Sequence, residues 1–446
     1  MKILKRLLRI VFALIGVLVL AGLITLWVDS FGTNYLKIDK NDPTSNNSYL
    51  IANVNVIPMN QDTVLADKMV YIKEGIIAEI ANTIEVDGIE IFDAENKYLT
   101  PGLIDMHVHI WDRHELGLYL SNGVTAVRNL WGMPMHLRIK EDVVVGNIIS
   151  PTFFTTGPKL TGPEFIGDDN LNLSSPAHAK EKVISYKKRG YDLIKTYYGL
   201  DKEIFDAVIK QAKISEIDIV AHPSQKVPFS YHLNPQIKSI EHAEEIVQQP
   251  LKFDLDTIKL QSIIDSISQP KHTSYCPTIT VFNNIYQMMI NDSILDSESL
   301  NYMNPLIKKT DSKKQFERWF NAKREDPETV DRIKRQHDFH MTIVKKLHEA
   351  GVTIICGTDA GIGVTLPGFS IHSELAFYKK AGLSNYEVLK TATVNASQTH
   401  SIMNQLGTIQ EGKIANLLIV DSNPLTELSA LKEPSTVFVK GQKSVS

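Results

Sequence analysis

Two imidazoles stand two residues apart at the end of an apolar run in "GLIDMHVHIWD", residues 102–112. Side chains at i and i+2 of a strand point to the same face. His107 and His109 therefore converge on one point where a packed core would take Val or Leu. Neutral imidazole is a common metal ligand, so the chemistry such a pair can serve is metal binding. A lone His-x-His also occurs as two surface histidines, and the rest of the chain has to decide. Other strand-like runs end in similar groups: Lys195 in "YDLIKTYY", His222 in "IDIVAHP", His242 in "IKSIEHA" and Asp359 in "TIICGTDA". With 14 histidines in the chain, one at a strand end carries little weight. Four at three strand ends, with a lysine and an aspartate at two more, are hard to obtain by chance.

The elements that must position these groups follow from the alternation of patterns over residues 101–400. Eight strand-like runs ("LIDMHVH", "TAVRNLW", "SPTFFTTG", "YDLIKTYY", "IDIVAHP", "IKSIEHA", "TSYCPTIT", "TIICGTDA") are separated by helical stretches such as 177–189, 202–215, 254–267 and 338–350. That alternation predicts an α/β fold, a (β/α)8 TIM barrel, whose strand C-termini share one catalytic mouth. The stretch 283–335 is too long for a connection; it reads as a helical insertion over the mouth, with Met288, Met289, Trp319 and Phe320 as packing residues. Short strand patterns over 49–100 and 401–446 predict a small β-sandwich module built from both chain ends, since neither part is large enough alone.

The N-terminus has a different character. "MKILKRLLR" carries four basic side chains, and Ile10–Trp27 is uncharged with only Thr25 polar. The run exceeds the ~7–15 residues of a secretory apolar region and approaches the ~20 that span a bilayer. Residues 1–32 are expected to form a membrane anchor, followed by a polar linker over 33–48. Basic residues before the span favour a cytoplasmic N-terminus, which would put the barrel outside the cytoplasm; cleavage after "SFG" at 30–32 is the alternative, an exported protein. Net charge is −4 with 43% hydrophobic residues, and no basic, aromatic-interleaved patch points to nucleic acid. Cys276 and Cys356 lie in apolar strand-like runs and read as reduced core residues.

The stretches "LTPGLIDMHVH", "YDLIKTYY", "AHP", "SIEHA", "GTDAG" and "LGTIQEGKIANLLIVDSNPL" resemble the metal-dependent amidohydrolase superfamily, its imidazolonepropionase-like and prolidase-like branch. The resemblance runs from about residue 49 to 443. Two positions depart from it: Asn416 and Asn129 stand where aspartate is common. A free ammonium has no lone pair and cannot ligate a cation; the resemblance implies that Lys195 is carbamylated by CO2 and bridges two divalent ions, zinc suiting the donor set best. It implies His107, His109 and Asp359 on one ion and His222 and His242 on the other, with a shared hydroxide attacking an amide carbonyl. Asp359 would shuttle the proton. His372, in "FSIHSELAF", matches a position near substrate, and Tyr198 and Tyr231 are expected to reach a substrate carboxylate. The expected substrate is a small peptide-like amide: a dipeptide, an Xaa-Pro dipeptide or an N-acyl amino acid. Cyclic amides, amidines, esters or lactones are the alternative, and a non-catalytic membrane-tethered scaffold is a further one.

Overall fold

The computed structural model describes residues 2–38, 47–163, 170–269 and 272–444; half of the expected linker, residues 39–46, lies outside them. Eight parallel strands close on themselves in chain order. Leu103–Val108, Val124–Asn129 and Thr152–Thr155 pair successively, as do Leu193–Thr196, Asp218–Ala221, Ile237–Glu241 and Ser274–Cys276. Isolated parallel bridges join these two groups: Thr156 to Leu193, Tyr275 to Ile354 in the eighth strand segment (353–360), and Ala360 back to Val108. This is a TIM barrel. Its strands are buried on both faces, as parallel strands are when side chains fill the inside and helices cover the outside.

Closure brings the two ends of the site together, and small residues permit it. At Gly357, before Thr358 and Asp359, an added Cβ would fall 2.4 Å from Cys276 Sγ and 2.7 Å from His107 Cβ. Asp105 then ties the first strand to the eighth, accepting from the Thr358 amide at 3.1 Å and its hydroxyl at 2.7 Å. Burial pushes the Asp105 carboxyl up to about 7 against these hydrogen bonds. Cys276 and Cys356 are free and buried.

Residues from both chain ends form one antiparallel-rich sheet in the order Gln442–Lys443, Thr436–Val439, Leu417–Val420, Tyr98–Pro101, Tyr49–Val56, Leu65–Lys73, Ile76–Ala81. The sheet curls, so that Ile76 bridges Ile414, and it encloses its own core around Ile51, Val70, Leu99 and Leu417. Asn416 joins this sheet to the barrel: its amide donates to the Thr125 carbonyl and Thr152 hydroxyl, both at 3.0 Å, and its carbonyl accepts from the Lys440 amide. An amide both donates and accepts here, which aspartate could not do.

The expected insertion is helical, with Ile279–Ile290, Lys313–Glu325 and short turns between them. Met288, Leu300, Met303, Val364 and Leu366 give it a small core of its own. The N-terminal helix, Lys2–Gly32, is long and apolar enough to cross a membrane, and its described side chains are exposed up to Phe31.

Candidate metal and active site

At the barrel mouth the strand-end groups meet. His107 and His109 lie in parallel planes with ring centroids 5.5 Å apart. His107 and His242 centroids are 4.7 Å apart, and His222 and His242 4.5 Å. Asp359 Oδ1 lies 2.9 Å from His109 Nε2 and 3.4 Å from His107 Nε2. One ligand atom from each of His107, His242 and Asp359 falls within 4.8 Å of the others. Two of these residues sit in left-handed backbone, His242 at φ 71° and Asp359 at φ 58°. Such conformations cost roughly 1–3 kcal/mol each and gather where function requires the side chain's direction.

The protonation states suit cation binding. Burial pulls the His107, His242 and His222 imidazoles below their usual range, His242 to about 3. Burial raises Asp359, but the imidazoles of His107 and His109 outweigh it and hold the carboxyl ionised. Neutral rings and an ionised carboxylate are the forms that ligate metal. Several buried polar atoms also lack hydrogen-bond partners: Lys195 Nζ, both His222 ring nitrogens and Asp359 Oδ1. His222 Nε2 and Asp359 Oδ1 also lie 2.9 Å from Glu245 Oε1 and His109 Nε2. Unpaired buried polar atoms cost about 1–3 kcal/mol each. Their clustering at one point fits a divalent cation.

Lys195 is 1% exposed, and burial lowers its ammonium to about 8 although Glu241 opposes the shift. A lysine so placed has access to the neutral amine that carbamylation by CO2 requires.

Residues outside the expected set hold these candidate ligands in place. Glu241, immediately before His242, accepts from His107 Nδ1 at 2.8 Å and from Arg128 at 2.9 Å, with both charged side chains fully buried. Burial alone would raise Glu241, but Arg128 and Lys195 lower it overall. Thr278 Oγ1 lies 2.8 Å from His242 Nδ1. Glu245 accepts from Tyr198 Oη at 2.7 Å beside His222. The sequence did contain a signal: polar residues inside otherwise apolar strand runs. Asn129 takes no part in ligation; it accepts from the Ile110 amide and donates to Thr155 Oγ1, fixing the turn after His109.

A cavity of about 950 Å³ opens from this point, lined by all six expected ligands and by Tyr198. Two other expected substrate contacts do not reach it. His372 lies in the helix Ser370–Lys380, its Nε2 3.1 Å from the Asn122 carbonyl on the barrel's outer layer. Tyr231 packs on Phe205, with its hydroxyl on Asp206, away from the mouth. Helical direction carries both outward. The insertion also departs from expectation, because Met288 and Trp319 line the cavity as well as packing. Trp111 and Trp131, on the loops after the first two strands, form another wall with centroids 4.3 Å apart. The Trp131 indole N–H has no partner.

The Amidohydrolase family pattern matches residues 260–443. Over 380 residues the chain is 23% identical to the imidazolonepropionase of Thermoplasma volcanium, covering 80% of this chain and 85% of that one. Together these matches support the amidohydrolase superfamily. A shorter match, 48% identical over 63 residues, is to the dihydroorotase of Carboxydothermus hydrogenoformans; it covers 14% of this chain and only 14% of that relative. Among solved structures, a bottromycin amidohydrolase shares the fold at TM-score 0.74 and 22% identity, covering 92% of both chains. A Xaa-Pro dipeptidase with bound methionine does so at TM-score 0.66 and 19% identity, covering 89% of this chain and 99% of that one.

Proposed function

We propose that this chain cleaves the amide bond of a small peptide-like substrate, such as a dipeptide, an Xaa-Pro dipeptide or an N-acyl amino acid, with two divalent cations, zinc by preference. The observation that carries the reading is Lys195, buried with an unpartnered amine among four histidines and Asp359. In this reading the neutral amine attacks CO2, a nitrogen–carbon bond forms, one proton leaves, and the resulting carbamate supplies two oxygens that share one negative charge. His107, His109 and Asp359 would hold one cation, His222 and His242 the other, with the Lys195 carbamate between them. Cations bound there polarise a carbonyl and acidify water. Asp359, kept ionised, takes a proton at its carboxylate and returns it to the leaving nitrogen. Glu241 keeps His107 protonated at Nδ1, which leaves the Nε2 lone pair free. The Trp131 indole N–H can donate to a substrate oxygen. The similarity to a Xaa-Pro dipeptidase fold supports the peptide-like class.

The test is turnover by the full chain, purified with zinc and bicarbonate, on panels of dipeptides and N-acyl amino acids. Release of a free amine is expected. Cleavage of lactones or cyclic amides alone would overturn the substrate class, and no turnover by metal-loaded protein would overturn the enzyme reading. We further propose that the helix Lys2–Gly32 anchors the barrel outside the cytoplasm. A C-terminal reporter active only beyond the cytoplasm should score positive. Mature protein beginning near Thr33 would favour export by cleavage instead.

A further inference from the structure

The chain leaves the apolar N-terminal helix at a defined place on the barrel. Thr33 and Leu36 are buried, and Leu36 and Ile38 hydrogen-bond with the 147–149 segment. Tyr35 donates to the His114 carbonyl at 3.2 Å, over Gly117, where any Cβ would fall 2.0 Å from its hydroxyl. The helix ends at Gly32, whose ideal Cβ would lie 3.9 Å from His114 Nδ1. His114 opens the helix after the first barrel strand, three residues beyond cavity-lining Trp111. That helix starts at the mouth, because barrel helices begin where strands end. From Gly32 the chain then runs away from the mouth toward the 147–149 segment, which precedes the third strand. The apolar helix therefore reaches the body at the mouth rim.

The surface beside this point has the composition of a membrane interface. Asn304 hydrogen-bonds Asp112, which places the insertion next to the end of the helix. There Tyr302 and Leu306 are 53% and 64% exposed, and Phe253, on the cavity lining, is 65% exposed. Between residues 305 and 325 five lysines and two arginines face one aspartate and two glutamates. Exposed apolar side chains interleaved with an excess of cations suit the headgroup boundary of a leaflet that carries anionic lipid.

We infer that the mouth rim, through Leu306, Tyr302 and the basic 305–325 part of the insertion, docks on the bilayer that holds the helix, so that the catalytic cavity opens toward the membrane surface. The occupant of this patch is the lipid surface itself. The inference rests on the anchoring proposed above, and it favours amide substrates amphiphilic enough to gather at that surface.

The test uses the full chain in vesicles of phosphatidylcholine and phosphatidylglycerol, with a single fluorophore on an introduced cysteine and brominated lipids as quenchers. Both native cysteines are buried, so labelling is confined to the new site. Three positions are compared: Leu306→Cys at the rim, Phe12→Cys within the helix, and Ile214→Cys, 65% exposed at the C-terminus of Lys202–Ile214, on the opposite end of the barrel. Quenching at 12 and 306 but not at 214, with the rim label about 5–10 Å into the headgroup–acyl boundary, is the expected result. Quenching at 12 with none at 306, or equal quenching at 306 and 214, overturns the docking and leaves the anchor standing. No quenching at 12 overturns both.

Discussion

Glu241→Gln isolates the buried network beneath the ligands, because it preserves shape and removes one charge. Glu241 accepts from His107 Nδ1, from Arg128 and from Ser239 Oγ. A glutamine oxygen cannot serve all three donors, and its NH2 group must face one of them. The first consequence is a fully buried Arg128 guanidinium without its counter-charge, which costs about 3–5 kcal/mol. At roughly 2.1 cal/mol/K of unfolding entropy per residue over a chain this long, that lowers Tm by about 3–5 °C. The second consequence falls on His107. Without an acceptor at Nδ1 the proton can move to Nε2, and the ring ceases to be a ligand; losing such a support typically lowers metal affinity by ~10–100-fold. Differential scanning calorimetry of metal-free protein and competition of metal-loaded protein with a chelator read the two effects separately. Arg128→Met combined with Glu241→Leu removes both charges, so it should recover much of the Tm but none of the metal affinity. If Glu241→Gln melts within about 1 °C of wild type and holds metal as tightly, the assignment of Glu241 as the positioning group for His107 is refuted.

Lys195→Ala should drop bound metal from about two ions per chain toward one and abolish most turnover; metal analysis in bicarbonate buffer checks it, and full activity with one ion would count against a carbamate. Asp359→Asn keeps one ligating oxygen but cannot accept a proton, so kcat should fall by about three orders of magnitude with near-normal metal content; a variant retaining more than about a tenth of kcat would need another base. His372→Ala and Tyr231→Phe, both outside the cavity, should leave kcat/KM within about threefold of wild type, and a larger loss at either position would mean that substrate reaches further than the cavity walls.

Much of the site was legible because strand chemistry is local. A polar residue at the end of an apolar strand run in an α/β alternation points to the mouth whatever the neighbouring strands do. This is why His107, His109, Lys195, His222, His242 and Asp359 could be named from spacing and resemblance alone, and all six line one cavity. His372 and Tyr231 failed for a related reason. They follow the strands in connections and helices, where a one-residue turn of about 100° decides between mouth and outer face. No strand period constrains them.

Composition and periodicity along the chain determined the number of barrel strands, the apolar N-terminal segment, the insertion and, with the resemblance, the candidate strand-end ligands. Only the tertiary structure decided which groups support those ligands. Arg128, Ser239 and Glu241 come from the second and sixth strands, 111 to 113 residues apart, and their mutual satisfaction exists only once the barrel closes and excludes water. The same holds for the left-handed backbone at His242 and Asp359 and for the approach allowed by Gly357. A residue's type fixes what it can donate, accept or ligate, but burial and partners at distant positions fix whether it is charged, held and aimed.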